Sequence, residues 1–296
     1  MSECLERHSI GYIGRFSAMA STCEVIMETQ NARIAQEVLA MALHEVLRIE
    51  RKFSRYQPDS ILSQIHRNRN QPVTVDTETA MMLDFSAQAW QLSKGLFDIT
   101  SGILRKIWKF DGGNRIPSRK QAKALLPYIG WNKVQWENPC ITLPNHMELD
   151  FGGFGKEYAA DRAITLIQAK YDLPVMVNLG GDLRVSSNLC HKPCWEVMIE
   201  SIYTHKQHKK FRLQQGAVVT SGDTRKFLQK NGVRYGHILH PCTGWSVMQA
   251  PASVTVGGKT CLEAGLIATL AMLKGRKAEY FLAAQDVVHW VQRYQS

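Results

Sequence analysis

Apolar residues recur at helical spacing through the first half of the chain. Between residues 32 and 53 they include Ile34, Val38 and Met41, and a repeat of three to four residues predicts an amphipathic helix. A polar break at residues 54–60 ends this helix, and Asp59 or Ser60 is a suitable N-cap for a short helix that follows. The same periodicity predicts further helices at residues 77–93, 118–127, 158–171 and 261–273.

Short apolar segments bounded by turn residues predict strands, and they dominate the second half. A hairpin is expected around Asn138-Pro139, a strand before Asp150, and a strand or turn at residues 95–102. Gly180-Gly181 interrupts one apolar segment and indicates a bulge or a close backbone approach. The remaining strands are expected at residues 24–27, 175–185, 195–200, 210–214, 217–221 and 253–256. Because strands and helices do not alternate regularly, an α+β fold is expected, with mixed or antiparallel sheets and flanking helices.

Composition and charge narrow the classes of function. The chain has 296 residues and a formal net charge of +10, but its basic clusters at 67–69 and 205–212 are short and contain only one aromatic residue, Phe211. This pattern favours anionic ligands over nucleic acid. No apolar run approaches the roughly 20 residues of a membrane span. Seven cysteines, an odd number, and no recognisable signal peptide predict a cytoplasmic protein.

A glycine-rich segment at residues 149–162 is the first candidate for chemistry. Gly152, Gly153 and Gly155 follow Asp150 and precede Lys156 at the start of a predicted helix. Bare backbone, a helix N-terminus and a cation together suit a phosphate group. The alternative is an ordinary tight turn into a helix with a surface lysine.

A histidine in a turn rich in glycine and proline is the second candidate. His237 has the side chain most suited to accept a proton from a hydroxyl nucleophile near neutral pH, although it could instead be bonded to backbone. Asp98 could orient a ligand or form a local turn, and Tyr56 or Trp245 could stack on a planar ring or simply pack. Together these residues suggest phosphate-ester chemistry on a nucleotide-sized ligand.

These segments occur in the order found in a known family: the chain resembles the ApbE-type FAD:protein FMN transferases. The resemblance implies one domain over residues 16–296, preceded by an N-terminal extension over residues 1–15. It is carried by residues 16–22, 53–63, 97–102, 149–162, 178–182, 220–223, 237–244 and 253–256, the last of which precedes the helix that contains Ala268-Thr269. Each segment alone is a weak signal, but eight in the right order are a strong one.

The resemblance implies an activity and a set of site residues. Enzymes of this type bind FAD, move its FMN half onto a threonine hydroxyl of an acceptor protein and release AMP. His237 matches the histidine that the family needs for transfer, and Gly153 and Thr269 match positions at its Mg²⁺ site. The positions implied to contact FAD are Met19, Tyr56, Leu96, Phe97, Asp98, Asp150, Lys156, Ile238 and Leu239.

The sequence departs from the family pattern at the metal site and beside the histidine. The family has a carboxylate four residues before the threonine, where this chain has Gly265, and some members have an Asp at the position of Ala268. The Asp that follows the family's histidine motif is His240 here. Glu263 is expected on the opposite helix face, so Mg²⁺ would rely on the Gly153 carbonyl, the Thr269 hydroxyl and FAD phosphates.

These departures leave both the metal site and the activity open. Replacing Gly265 by Asp is expected to add a metal ligand, because position 265 shares a helix face with Thr269. The missing carboxylate also admits an FAD-binding protein without transfer activity. A third possibility is a hydrolase that splits FAD into FMN and AMP.

Overall fold

An eight-stranded antiparallel sheet forms the centre of the computed structural model, which describes residues 3–187, 190, 194–203, 209–224 and 226–294. In chain order the strands are β1 (Cys4–His8), β2 (Gly11–Ala18), β3 (Ser21–Met27), β4 (Pro72–Thr74), β5 (Gln135–Glu137), β6 (Cys140–Thr142), β7 (Val175–Leu179), β8 (Asp182–Val185), β9 (Trp195–Ile199), β10 (Lys209–Leu213), β11 (Gly216–Gly222), β12 (Phe227–Lys230), β13 (Val233–Gly236), β14 (Leu239–His240), β15 (Trp245–Ser246), β16 (Ser253–Gly258) and β17 (His289–Gln292). The main sheet has the order β1-β2-β3-β7-β8-β11-β16-β17, so residues 4–18 form its first two strands.

Three helices cover one face of this sheet and bury the main core. The helices are α1 (Ala32–Phe53), α2 (Ile61–Arg67), α3 (Thr77–Leu92), α4 (Arg119–Leu125), α5 (Gly155–Lys170), α6 (Cys261–Leu273) and α7 (Ala278–Ala283). Helices α1, α5 and α6 pack on the sheet, where alternate strand residues such as Val177, Val219 and Val254 are fully buried. Burying one face of the central strands stabilises the sheet and specifies its register.

A smaller core lies beside the main one and supports the segment around His237. Trp108, Leu228 and Trp245 are buried in it, and the Trp108 indole N–H donates to the Gly244 carbonyl at 2.9 Å. Trp245 packs edge-on against Trp108, with ring centroids 4.9 Å apart. Of the two roles considered for Trp245, the structure shows the packing role.

The α+β class is confirmed, as are most of the predicted helices. Helix α1 has the predicted bounds, and the Ser60 hydroxyl caps α2 by accepting from the Ser63 amide at 3.0 Å. The hairpin around Asn138-Pro139 is present as β5 and β6. No helix of the described residues is long and apolar enough to cross a membrane. Residues 205–208 of the basic cluster at 205–212 lie outside the described part of the chain.

Four local predictions were wrong in whole or in part. The turn expected as one alternative for residues 95–102 is present only before Asp98, which caps a 3-10 helix at Ile99–Lys106. The segment before Asp150 is not a strand, and its Leu149 amide donates to a side chain, His66 Nε2, at 2.8 Å. Gly180 and Gly181 do not form a bulge but the turn of the β7–β8 hairpin, where both have positive φ. The alternative, a close backbone approach, is confirmed, because a Cβ at Gly180 would lie 2.7 Å from Ser21 Oγ. Helix α5 begins at Gly155, three residues before its predicted start.

Candidate active site

A cleft of about 1590 Å³ brings most of the predicted site residues together. It exceeds the roughly 300–1,000 Å³ of a site for a drug-sized ligand, so it has room for a dinucleotide. Ser253 lines the cleft, whereas Val254, the next residue of β16, packs in the main core. The alternation along this strand therefore separates a core side from a cleft side.

The glycine-rich turn before α5 forms part of the cleft wall. Asp150 Oδ1 accepts from the Gly152 amide at 2.8 Å, while its Oδ2 pairs with Arg55 at 3.1 Å and Arg105 at 3.2 Å. A Cβ at position 152 would lie 2.9 Å from Asp150 Oδ1, so the turn needs glycine there. Asp150 thus holds the turn in shape, and Gly152 and Gly153 present exposed backbone to the cleft.

Four lysine and arginine side chains line the same cleft, and three of them lie close enough to His237 to influence its pKa. Arg105 comes from the 3-10 helix, Lys156 from the first turn of α5 and Lys226 from the segment before β12. The Lys156 ammonium is 2.6 Å from Oδ2 of the buried Asp182 carboxylate, which raises the pKa of Lys156 despite its burial. Positive charge facing an open cleft attracts an anionic ligand such as a diphosphate.

His237 occupies the cleft wall among these cations. Its amide donates to the Lys226 carbonyl at 3.2 Å, but its buried Nδ1 has no hydrogen-bond partner among the described residues. Burial, with the charges of Lys226 and Arg105, lowers the pKa of His237 to about 4. The imidazole is therefore neutral at pH 7 and able to accept a proton.

The residues beside His237 are positioned by a short hairpin. Leu239 pairs with Ser246 across β14 and β15, and the Ser246 hydroxyl donates to the Gly236 carbonyl at 2.8 Å. Ile238 and Leu239 line the cleft as apolar neighbours of the imidazole. This arrangement keeps His237 at the cleft rather than in the adjacent core.

Leu96, Phe97 and Asp98 also line the cleft, but Asp98 is already bonded within the protein. Its Oδ1 accepts from the Thr100 amide at 2.8 Å, and its Oδ2 accepts from the Trp131 amide at 3.0 Å. Of the two roles considered for Asp98, the structure shows the local turn. Its carboxylate holds the start of the 3-10 helix at the edge of the cleft.

Two predicted site residues lie outside the cleft wall. Met19 is in the turn between β2 and β3, where its amide donates to Glu50 Oε1 at 2.9 Å, and its neighbours Ala20 and Ser21 line the cleft instead. The Tyr56 side chain is 77% exposed and has the Arg55 guanidinium 5.7 Å from its ring centroid. The structure thus brings together all the predicted positions except Met19 and Tyr56.

Glu157 is a cleft residue to which the sequence reasoning assigned no role. It follows Lys156 on α5, is buried, and has no hydrogen-bond partner for its Oε2 among the described residues. Burial, with the nearby Asp182, raises the pKa of Glu157 to about 8. Its presence in the quoted glycine-rich segment gave no sign of this, because a glutamate in the first turn of a helix is usually solvated.

Glu157 also corrects an expectation about Gly265. A Cβ at position 265 would lie 2.7 Å from Glu157 Cγ and 2.9 Å from its Oε1. Position 265 is therefore not free to carry an added carboxylate while Glu157 is present.

The donors for a metal ion are few but suitable. The described residues contain no group of three or more His, Cys, Asp and Glu side chains that could hold a metal. The predicted positions Gly153 and Thr269 line the cleft, as does Glu157 with its unpartnered oxygen. A buried carboxylate oxygen and a hydroxyl fit Mg²⁺, which prefers hard oxygen donors and completes its shell with water and phosphate.

Comparison with known proteins relates this site to one family. Residues 19–290 match the ApbE family. An FAD:protein FMN transferase of Vibrio cholerae is 27% identical over 234 residues, covering 76% of this chain and 70% of the relative. One from Haemophilus influenzae is 26% identical over 245 residues, covering 78% and 70%. The ApbE protein of Thermotoga maritima has a similar structure, with a TM-score of 0.86 at 25% identity over 98% of this chain and 94% of that one.

Proposed function

Since the chain belongs to the ApbE family, we propose that it binds FAD in the cleft and transfers the FMN half to a threonine hydroxyl of an acceptor protein, releasing AMP. The observation that carries the proposal is the meeting of an unpartnered histidine nitrogen with three cations and exposed glycine backbone in one cleft. A diphosphate needs the cations, and a hydroxyl nucleophile needs the base.

In the proposed reaction, His237 accepts the proton of the attacking threonine hydroxyl. The threonine oxygen forms a bond to the phosphorus of the FMN half, and the bond from that phosphorus to the bridging oxygen breaks. AMP leaves with the bonding electron pair, and the proton passes from His237 to solvent. In the ligand-free protein, burial and the charges of Lys226 and Arg105 lower the pKa of His237. Bound diphosphate would offset these two charges, and His237 would then be a stronger base.

The FAD contacts proposed here are those of the residues that line the cleft. Arg105, Lys156 and Lys226 neutralise the diphosphate, and the backbone of Gly152 and Gly153 allows it to approach closely. Leu96, Phe97, Ile238 and Leu239 provide apolar walls. Met19 and Tyr56 remain proposed flavin contacts, Met19 beside lining residue Ala20 and Tyr56 next to Arg55, which holds Asp150.

Mg²⁺ is part of the proposal, with Gly153 and Thr269 among the positions that would hold it. When bound, it would neutralise charge that develops on the transferred phosphoryl group. We place the reaction in the cytoplasm, because all seven cysteines are unpaired, which fits a reducing compartment.

One assay tests the proposal against its alternatives. Purified protein is incubated with FAD, Mg²⁺ and an acceptor protein that carries a candidate threonine, and AMP and denaturation-resistant flavin are measured. Equal amounts of both products support transfer. Free FMN with AMP indicates hydrolysis, and bound but intact FAD indicates a flavin-binding protein. Either of these two outcomes would refute transfer.

Ligand preference provides a second test. The cleft with the three cations near His237 suits a diphosphate, so FAD is expected to bind more tightly than FMN, whose single phosphate would meet only part of this charge. Titration of tryptophan fluorescence with each flavin measures the difference. Equal affinities would contradict the proposed placement of the diphosphate.

A further inference from the structure

A glutamate side chain of helix α5 packs against a glycine of helix α6. Gly265 of α6 is buried, and the Glu157 side chain of α5 occupies the space where a side chain at position 265 would begin. Any residue larger than glycine at 265 would collide with Glu157, since a Cβ would lie 2.7 Å from Glu157 Cγ. The two positions therefore fit each other as a glutamate and a glycine.

This placement leaves a buried carboxylate without adequate compensation. Glu157 Oε2 has no hydrogen-bond partner among the described residues, and only 7% of the residue is exposed. The nearby Asp182 adds a second buried carboxylate, and its Oδ2 is 2.6 Å from Lys156 Nζ. One ammonium cannot neutralise two ionised carboxylates. Proteins normally pair buried charges or use them to coordinate metal ions.

A second hard donor lies on the helix against which Glu157 packs. Thr269 lies one helical turn after Gly265 on α6, so the two positions share a helix face. Glu157 and Thr269 both line the cleft, as do Gly152 and Gly153 of the glycine-rich turn. A cation at this point would have a carboxylate and a hydroxyl from the protein, and it would face the space available to phosphate oxygens.

We propose that Glu157 is a ligand for a divalent cation such as Mg²⁺, and that Gly265 is required because it makes room for this carboxylate. The ion is shared between α5, through Glu157, and α6, through the Thr269 hydroxyl. Its role in phosphoryl transfer rests on the function proposed above, but its binding is a separate property and is measured separately.

Binding of Mn²⁺, a spectroscopic substitute for Mg²⁺, tests the proposal. Free Mn²⁺ is measured by electron paramagnetic resonance during titration of the full chain, with and without FAD, and Mg²⁺ is added as a competitor. Glu157→Gln keeps the side-chain volume but removes the charge, and it should weaken Mn²⁺ binding by at least about tenfold. The matched control is Glu263→Gln, on the exposed side of α6, which should leave Mn²⁺ affinity unchanged.

A thermal melt without metal distinguishes a ligand from a structural residue. Glu157→Gln should melt at or above the temperature of the original protein, because a glutamine fills the same space and its burial requires neither a charge nor the uptake of a proton. Mn²⁺ should raise the melting temperature of the original protein but not that of the variant. Wild-type Mn²⁺ affinity in a folded Glu157→Gln protein would overturn the proposal.

A pair of substitutions tests whether a carboxylate on α6 can replace the Glu157 carboxylate of α5. Glu157→Gly should lose Mn²⁺ binding, and adding Gly265→Asp to it should restore binding by placing a carboxylate in the same space from α6. Gly265→Asp alone should destabilise the protein, because both side chains then compete for one space. If the double variant folds but binds Mn²⁺ no better than Glu157→Gly, the shared site is refuted.

These measurements separate the two proposals. Mn²⁺ binding that depends on Glu157, without release of AMP from FAD, supports the cation site and refutes the transferase. Flavin transfer with Mn²⁺ affinity unaffected by Glu157→Gln supports the transferase and refutes the cation site.

Discussion

Two buried glutamates on neighbouring helices have opposite surroundings. Glu45 of α1 is bonded by Arg48 at 2.7 and 2.8 Å and by Arg162 at 3.2 Å, and these partners hold its pKa below the usual value. Glu157 of α5 has an oxygen without a partner among the described residues and a pKa raised to about 8. Both residues are more than 90% buried, so burial alone does not explain the difference.

The comparison distinguishes two kinds of polar cluster. One is an internal network of Glu45, Arg48, Glu78 and Tyr158, here called the clamp, and the other is a binding site. Arg48 also pairs with Glu78 of α3 at 2.6 Å, and the Tyr158 hydroxyl of α5 donates to Glu78 at 2.7 Å. These bonds tie three helices together and use their polar groups fully. At the start of α5, Lys156 and Glu157 instead line the cleft, and Glu157 Oε2 has no hydrogen-bond partner among the described residues. More than about 90% of buried polar groups in proteins are bonded, so the unbonded Glu157 Oε2 requires an explanation, and a bound cation is the one proposed above.

The largest expected effect concerns the unpartnered imidazole. If His237 accepts the threonine proton, His237→Ala should reduce the rate of flavin transfer by about 10²–10⁴-fold, the usual contribution of a general base. FAD affinity should change little, because the cations that hold the diphosphate remain. The rate is measured as AMP released per chain, and affinity by fluorescence titration.

The control for this variant is His240→Ala. His240 lies three residues later but is not among the residues that line the cleft, and its Nδ1 accepts from the Cys242 amide at 3.2 Å. It should retain transfer activity within about tenfold, well short of the loss expected of a general base. Equal losses in the two variants would show that the segment, and not the base, is responsible.

The second effect concerns the stability of the clamp. Arg48→Met should leave Glu45 and Glu78 with fewer partners and lower the free energy of unfolding by about 2–3 kcal/mol. This is below the roughly 3–5 kcal/mol for breaking a fully buried ion pair, because the Arg48 side chain is 34% exposed. Urea unfolding measures the loss, and FAD affinity of the folded variant should be unchanged.

A surface ion pair provides the control for Arg48. Lys170 pairs with Glu37 at 3.1 Å, and both side chains are more than a third exposed. Lys170→Met should therefore change the free energy of unfolding by less than about 1 kcal/mol. If Lys170→Met were as destabilising as Arg48→Met, burial of the clamp would not be the source of its stability.

Local patterns were sufficient to predict the clamp's helices but not its bonds. The apolar repeat and the polar break after Phe53 gave both ends of α1, because these signals act within one or two turns. The 3-10 helix that begins at Ile99 was missed in the prediction for residues 95–102, because Asp98 caps it and accepts from the Trp131 amide, and apolar periodicity records neither contact. Long-range side-chain bonds overrode the local preference of that segment.

At the candidate site, too, the sequence was sufficient to predict local motifs but not long-range contacts. Ordered motifs predicted the glycine-rich turn and His237, and the structure brings both to one cleft. The fit of Glu157 to Gly265 joins residues 108 positions apart on two helices. In the sequence Gly265 is only a missing carboxylate and Glu157 only a helix residue. Their relation depends on how α5 packs against α6, which is set by the whole core.

The smallest effect compares two histidines that burial keeps neutral but that differ in their hydrogen bonds. His66, like His237, has a pKa lowered to about 4, mainly by burial. Unlike His237 Nδ1, however, His66 Nε2 is occupied, because it accepts from the Leu149 amide just before Asp150. The unfolded chain binds a proton at His66 below about pH 6.5, whereas the folded protein does not until about pH 4. The free energy of unfolding therefore decreases as the pH falls from about 6.5 to about 4.

Replacing His66 by Gln should therefore reduce the acid sensitivity of the fold. Gln keeps an acceptor for the Leu149 amide but does not titrate, so the loss of unfolding free energy between pH 7 and pH 5 should be smaller by about 1–2 kcal/mol in the variant. Urea unfolding at the two pH values measures this difference. His237→Ala provides the comparison, because it should reduce acid sensitivity in the same way while also removing transfer activity. An unchanged pH dependence in His66→Gln would mean that His66 is protonated in the folded protein, and that its bond to Leu149 does not hold the start of the glycine-rich turn.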